Sequence, residues 1–246
     1  MIVPGYEGLV QSLYNSKNLI VESGTRCNLL CPGCARYHLF TNGIKLTPLD
    51  LSLDYFKLAV NDEYQIDDIY WSNVYSDVIY SATFIDILEY QNTLQHRPTN
   101  RISTNGSGRS VDWWKRLATS LDDKDIWEFS IDGLEDTNHI YRVNSKWDTI
   151  MLGASTLINE LEILGKKTHV NWRFILFEHN HNQLLKAYKL AKAMKFTNFK
   201  YLLGNMRTPE HMVLKSKTFE EAEAPLKAYA NKSNIPNQEY TNSADT

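Results

Sequence analysis

Cysteine is scarce in this chain: three occur in 246 residues, and all three fall within positions 27–34. An odd number packed this tightly excludes a secreted disulfide framework, which needs an even set at wider spacing. Long apolar runs are missing too. No stretch approaches the roughly 20 apolar residues of a membrane-spanning helix. The opening residues MIVPGYEGLVQSLYNSKN hold no basic region followed by an apolar one, so no export signal is expected. Excess positive charge is also lacking: a formal net charge of −3 and a pI near 6.2 supply no field for phosphate backbones, which sets aside general nucleic-acid binding. These absences point to the cytoplasm. Thiols gathered this closely in a reducing compartment read as metal ligands.

The remaining composition, 43% hydrophobic with 22% charged, is that of an ordinary globular protein rather than a disordered or fibrous one. The length suits one sizeable core. Short apolar runs alternate with amphipathic segments from residue 18 to 204, the pattern of repeated β–α units. Strands are expected at 18–22, 66–72, 101–104, 126–131, 168–177 and 198–203. Helices are expected from Ser52, which is placed to cap an N-terminus, and around Phe84–Leu88, Trp114–Leu121, Trp147–Leu161 and Leu184–Met194. Gly165 should stop the fourth of these. Strict alternation favours a parallel sheet, because each crossover helix returns the chain in the same direction. The organisation expected is an N-terminal segment 1–17, a core domain 18–205 and an extension 206–246, with one short helix near 219–229 and a mobile polar end.

The chemistry concentrates in Cys27-x3-Cys31-x2-Cys34, which leaves the first strand directly. Four thiolates close an iron–sulfur cubane, whereas three leave one iron open to an exogenous ligand. Pro32 and Gly33 let the backbone wrap closely around a bulky group. With His38, the same run also makes a Cys3His set suited to tetrahedral zinc in a binding protein.

The segment from Glu22 to Cys34, ESGTRCNLLCPGC, resembles the radical SAM superfamily, through its cysteine spacing and the "CNL" at the first cysteine. It is most similar to the branch that holds the molybdenum-cofactor cyclase and the SPASM-type peptide-modifying enzymes. That resemblance spans roughly residues 18–205. It implies an α/β fold, a partial (β/α)6 barrel, with a [4Fe–4S] cluster on Cys27, Cys31 and Cys34 at the carboxyl mouth of the strands. It also implies reductive cleavage of S-adenosylmethionine (SAM) to a 5′-deoxyadenosyl radical, a reductant such as flavodoxin or ferredoxin, and a peptide, nucleotide or sugar substrate. No cysteine follows Cys34, so the branch's C-terminal auxiliary-cluster domain is not expected.

The resemblance extends to the strand ends. Thr104-Asn105-Gly106 and Ser130-Ile131-Asp132-Gly133 look like the family's "TNG" and "S-x-D-G" segments. Ser130 and Arg142 would then bind the SAM carboxylate, with Thr104 and Asn105 as further ligands and Leu203 touching adenine through its backbone. Two departures stand out. Where the family has a "GGEP"-type segment this chain reads Trp71-Ser72-Asn73-Val74-Tyr75, leaving the Asn73 side-chain oxygen to meet the methionine amino group. Gly33 occupies the position before the third cysteine, where an aromatic residue commonly lies near adenine. The altered segment leaves open a protein that holds a cluster without cleaving SAM.

Other residues suit structural roles. His139, His169, His179 and His181 show no metal spacing, and the 179–181 pair fits a surface loop. Trp114 and Trp147 fall on apolar helix faces and are expected in the core, while Trp71 and Trp172 are expected to line the barrel interior.

Overall fold

The computed structural model describes residues 17–204, 209–214, 216–236 and 239–242. Among the described residues, seven strands form one sheet in simple sequence order: β1 (Asn18–Val21), β2 (Asp68–Trp71), β3 (Thr99–Thr104), β4 (Ile126–Ser130), β5 (His169–Leu176), β6 (Asn198–Leu203) and β7 (Tyr240–Asn242). Every neighbouring pair is parallel. A parallel pair cannot be joined by a tight hairpin, and helices fill each crossover. These are α1 (Ala35–Thr41), α2 (Leu53–Ala59), α3 (Phe84–Gln91), α4 (Val111–Ser120), α5 (Asn138–Tyr141), α6 (Trp147–Ile163), α7 (Leu184–Ala193) and α8 (Ser216–Lys232). No described helix is long and apolar enough to cross a membrane.

Local chemistry sets the helix ends. The Ser52 hydroxyl accepts from Tyr55 N at 3.1 Å, and Ser110 caps α4 the same way through Trp113 N at 3.3 Å. Gly165 stops α6 at φ +67°, where its N–H bonds to Glu162 O and that of Lys166 to Leu161 O, a Schellman closure.

Packing runs along the helix-covered side of the sheet. Trp71 meets Phe84 of α3 at 4.9 Å between ring centroids, Trp114 of α4 meets Phe129 at 5.6 Å, and Trp172 meets Phe196 at 5.4 Å. Trp71 and Trp172 therefore belong to the helix-side core, not to the barrel interior expected from the sequence. Because strand side chains alternate, it is their neighbours Tyr70 and Arg173 that turn the other way. β7 is a further departure, since no strand was expected beyond the sixth. It pairs Tyr240 with Phe199 and buries Tyr240 against Tyr188 at 5.9 Å. Helices α1 and α5, each a short segment beside the cysteine loop or its cavity, were not foreseen either.

Gly106, the residue after Asn105, sits at φ +67°, and a Cβ there would stand 2.7 Å from the Phe129 ring. Both the left-handed backbone and the ring exclude a side chain. Gly106→Ala should destabilise the chain by about 2–4 kcal/mol, from strain and overpacking together, read as a lowered denaturant midpoint at unchanged m-value.

Candidate functional site

The loop that leaves β1 runs across the carboxyl ends of the strands, the position at which parallel α/β folds place their ligands. Its thiols meet the ends of three different strand units. Cys27 Sγ accepts from Leu29 N at 3.4 Å and from Asn105 Nδ2, just beyond β3, at 3.6 Å. Cys31 Sγ lies 4.0 Å from Arg142 Nη1, downstream of β4. Cys34 Sγ faces the carbonyl of Val74, beyond β2, at 3.8 Å. All three line one cavity of about 210 Å³, together with Asn73, Thr104, Asn105, Ser130 and Arg142.

Each polar wall of this cavity is held in place. Asp77 is buried and accepts from Thr104 Oγ1 at 2.7 Å, Asn105 N at 2.7 Å and Ile79 N at 3.2 Å. Thr104 Oγ1 also accepts from Gly106 N at 3.1 Å, so its hydroxyl is committed within the protein and shapes the turn. Asn105 spends its carbonyl oxygen on Ser107 N at 2.7 Å and aims its amide at Cys27 and at Asn28 Oδ1. Asp132, fully buried, fixes Arg142: its Oδ2 accepts from Arg142 Nε at 2.5 Å and its Oδ1 from Ile175 N at 2.7 Å. The guanidinium lies over the Tyr141 ring, 5.5 Å from the centroid.

The segment 72–76 is organised by Glu22. One carboxylate oxygen accepts from Ser72 Oγ, Val74 N and Tyr75 N at 3.1, 2.8 and 3.3 Å. The other accepts from the Ser76 N–H at 3.1 Å and from its hydroxyl. With its N–H groups gathered on Glu22, this segment leaves its carbonyls to others: that of Tyr75 accepts from Arg36 Nη1 at 3.0 Å. Asn73 adopts a left-handed backbone, φ +49°, which Asn tolerates better than most residues. Its amide donates to Ser103 O, and its Oδ1 is buried with no partner. A buried acceptor left without a donor costs about 1–3 kcal/mol, so this oxygen is an open place for a donor group.

Burial pushes the Cys27 thiol up to about 12, with the Asp77 carboxylate adding to the effect, and the Cys31 thiol up to about 11 against the opposing pull of Arg142. Cys27 and Cys31 are therefore neutral near pH 7, and a cation bound by them must displace their protons. Sulfur-only donors suit zinc or iron–sulfur clusters. Among the described residues no three His, Cys, Asp or Glu converge on a point that one metal ion would occupy. Three thiols lining one cavity, each available to a separate iron of a cubane, fit a cluster. His38 is exposed on α1 and is absent from the cavity lining.

Of the residues singled out in the sequence, the cavity brings together the three cysteines, Asn73, Thr104, Asn105, Ser130 and Arg142. Gly33 is buried in the turn closed by Cys34 N to Cys31 O, and Leu203 is exposed at the end of β6; neither lines the cavity. Glu22, Arg36, Asp77 and Arg173 were missed. Arg173 pairs in register with Ser130 and donates to its hydroxyl at 3.1 Å. Alternation along β5 would have found it only with Trp172 read as facing the helices, the reverse of what the sequence led us to expect.

No family model matches the chain, and no curated protein matches it. Solved structures do. SuiB of Streptococcus suis bound to S-adenosylmethionine superposes with a TM-score of 0.65 at 12% identity, over 92% of this chain and 50% of that one. The protein anSMEcpe with bound AdoMet gives 0.64 at 15% identity, over 89% and 59%. TYW1 with a lysine-pyruvate adduct gives 0.55 at 13%, over 87% and 72%. The chain thus spans half to three fifths of the first two. At these identities the likeness is one of architecture: this chain has the α/β fold, built on a parallel sheet, that those proteins share.

Proposed function

We propose that this chain is a radical SAM enzyme with a single [4Fe–4S] cluster held by Cys27, Cys31 and Cys34. The observation that carries the reading is the convergence of its only three cysteines on one cavity with the unpartnered Asn73 oxygen, Ser130 and Arg142. When bound, cluster and SAM supply a one-electron cleavage that yields a 5′-deoxyadenosyl radical. The chain's own residues do the positioning. Arg142, held by Asp132, offers a guanidinium to the SAM carboxylate together with the Ser130 hydroxyl. Asn73 Oδ1 accepts from the methionine amino group, and Glu22 keeps the segment carrying it in place.

On this reading strands β1–β6 make a partial (β/α)6 barrel as residues 18–205, and residues 206–246 extend it. The electron comes from a reductant such as flavodoxin or ferredoxin in the cytoplasm. Two of the similar proteins have structures with a peptide bound, anSMEcpe with its Cp18Cys peptide and SuiB with precursor peptide SuiA, which favours a peptide among the substrate classes. The zinc reading needs His38 beside the thiols, and His38 lies outside their cavity.

Anaerobic reconstitution with iron and sulfide, followed by dithionite and SAM, tests the proposal. About four irons per chain and release of 5′-deoxyadenosine are expected. Zinc retained without a cluster chromophore would overturn it, and a cluster that yields no 5′-deoxyadenosine would remove the catalytic assignment. Glu22→Ala should weaken SAM binding about tenfold, ~1.4 kcal/mol, at unchanged iron content, measured by equilibrium dialysis of labelled SAM.

A further inference from the structure

A parallel sheet covered on both faces reads as near-continuous apolar strands. Here the face turned from the helices instead carries Arg101, Ser103, Glu128, Ser130, Arg173 and Lys200 among Ile126, Ile175 and Leu202, alternating with the buried residues of β3 to β6. Register sets Ser103 beside Glu128, and Ser130 beside Arg173 beside Lys200. Such a face is a wall for a polar ligand rather than half of a packed core.

Its charges are not evenly matched. Arg101 pairs one to one with Asp68 at 3.1 Å. Glu128, by contrast, is shared by Arg173 Nε at 3.3 Å and Lys200 Nζ at 3.5 Å. One positive charge is left in excess. The side-chain exposures, 13% for Glu128 against 34% for Arg173 and 37% for Lys200, put the carboxylate deeper and the two cations toward the open side. Arg173 Nε is buried without a hydrogen-bond acceptor, because its approach to Glu128 is an ion pair and not an aligned bond. Arg173 also lines the thiol cavity.

We infer that Arg173 and Lys200 receive a carboxylate of the substrate, seating it at the edge of the cofactor cavity; the identity of that neighbouring cofactor rests on the radical SAM reading. A planar guanidinium matches the two oxygens of a carboxylate, and a lysine beside it adds a point charge. One surplus positive charge is neutralised by a monoanion and overrun by a phosphate dianion. The carboxylate belongs either to an acidic side chain of a peptide or to a free acid of similar length.

Equilibrium dialysis of the reconstituted full-length protein, with and without saturating SAM, separates the outcomes. The probes are N-acetylglutamate N-methylamide, its glutamine counterpart, butyrate and inorganic phosphate. The glutamate probe should bind at one site per chain, at least tenfold more tightly than the glutamine one; tighter binding of butyrate would make the carboxylate that of a free acid. Arg173→Gln should weaken it about tenfold, and Arg101→Gln should change it less than twofold. Glu128→Gln removes the internal competitor and should tighten binding at least threefold, a gain that a misfolded variant cannot produce. Equal affinity for acid and amide, preference for phosphate, weakening by Glu128→Gln, or displacement by SAM would each overturn the inference. Loss of 5′-deoxyadenosine with probe binding intact would count against the radical SAM reading alone.

Discussion

Replacement of any one of Cys27, Cys31 or Cys34 by alanine is expected to bring both cluster content and 5′-deoxyadenosine formation to background, a loss of about 10³-fold or more, because the three ligands act as a unit. The fold should survive. Cys31 packs with Leu29, Tyr141 and Phe177 in a small apolar group, with Cys27 and Cys34 at its edge, apart from the main core. Truncating one of these side chains removes few contacts and should cost about 1 kcal/mol, or about 2–4 °C in unfolding temperature for a chain of this size. Iron analysis and electron paramagnetic resonance read the cluster, and calorimetry of the cluster-free protein reads the fold. His38→Ala is the matched control: its iron content should equal that of the parent. A full cluster in a two-cysteine variant, or its loss in His38→Ala, would sink the ligand assignment.

Elements with strong local signals were legible in the sequence. The 3.6-residue stripe of α6, the Ser52 cap and the Gly165 stop are set by side chains within a few residues of each other, and the structure has them in place. The cysteine loop was legible for the same reason. What failed was non-local. Trp71 and Tyr70 are adjacent aromatics on one strand, and only the arrival of Phe84 from α3 decides which of them is covered. β7 has its partner some forty residues earlier, in β6, and its three residues alone carry too little pattern to be read as a strand. Glu22 reaches its partners across 50 or more residues, so nothing near it in sequence marks it as the support of the 72–76 segment. Most of the residues that line the cavity were thus readable as motifs, and the residues that hold them in place were not.

The pair formed by Asp132 and Arg142 gives the largest expected effect on stability. Asp132 has no exposed side-chain surface and Arg142 only 13%, and the carboxylate also holds Ile175 N. Asp132→Ala leaves a buried guanidinium without its counter-charge and should cost about 3–5 kcal/mol, roughly ten degrees or more in unfolding temperature. The double variant Asp132→Ala with Arg142→Met removes both charges, and recovery of about half of that loss is expected, because an apolar replacement of the whole pair avoids the uncompensated ion. SAM cleavage should stay at background in both. A purely structural pair would regain activity as it regains stability; recovery of the fold without recovery of 5′-deoxyadenosine would locate Arg142 at the cofactor, with Asp132 as the residue that aims it.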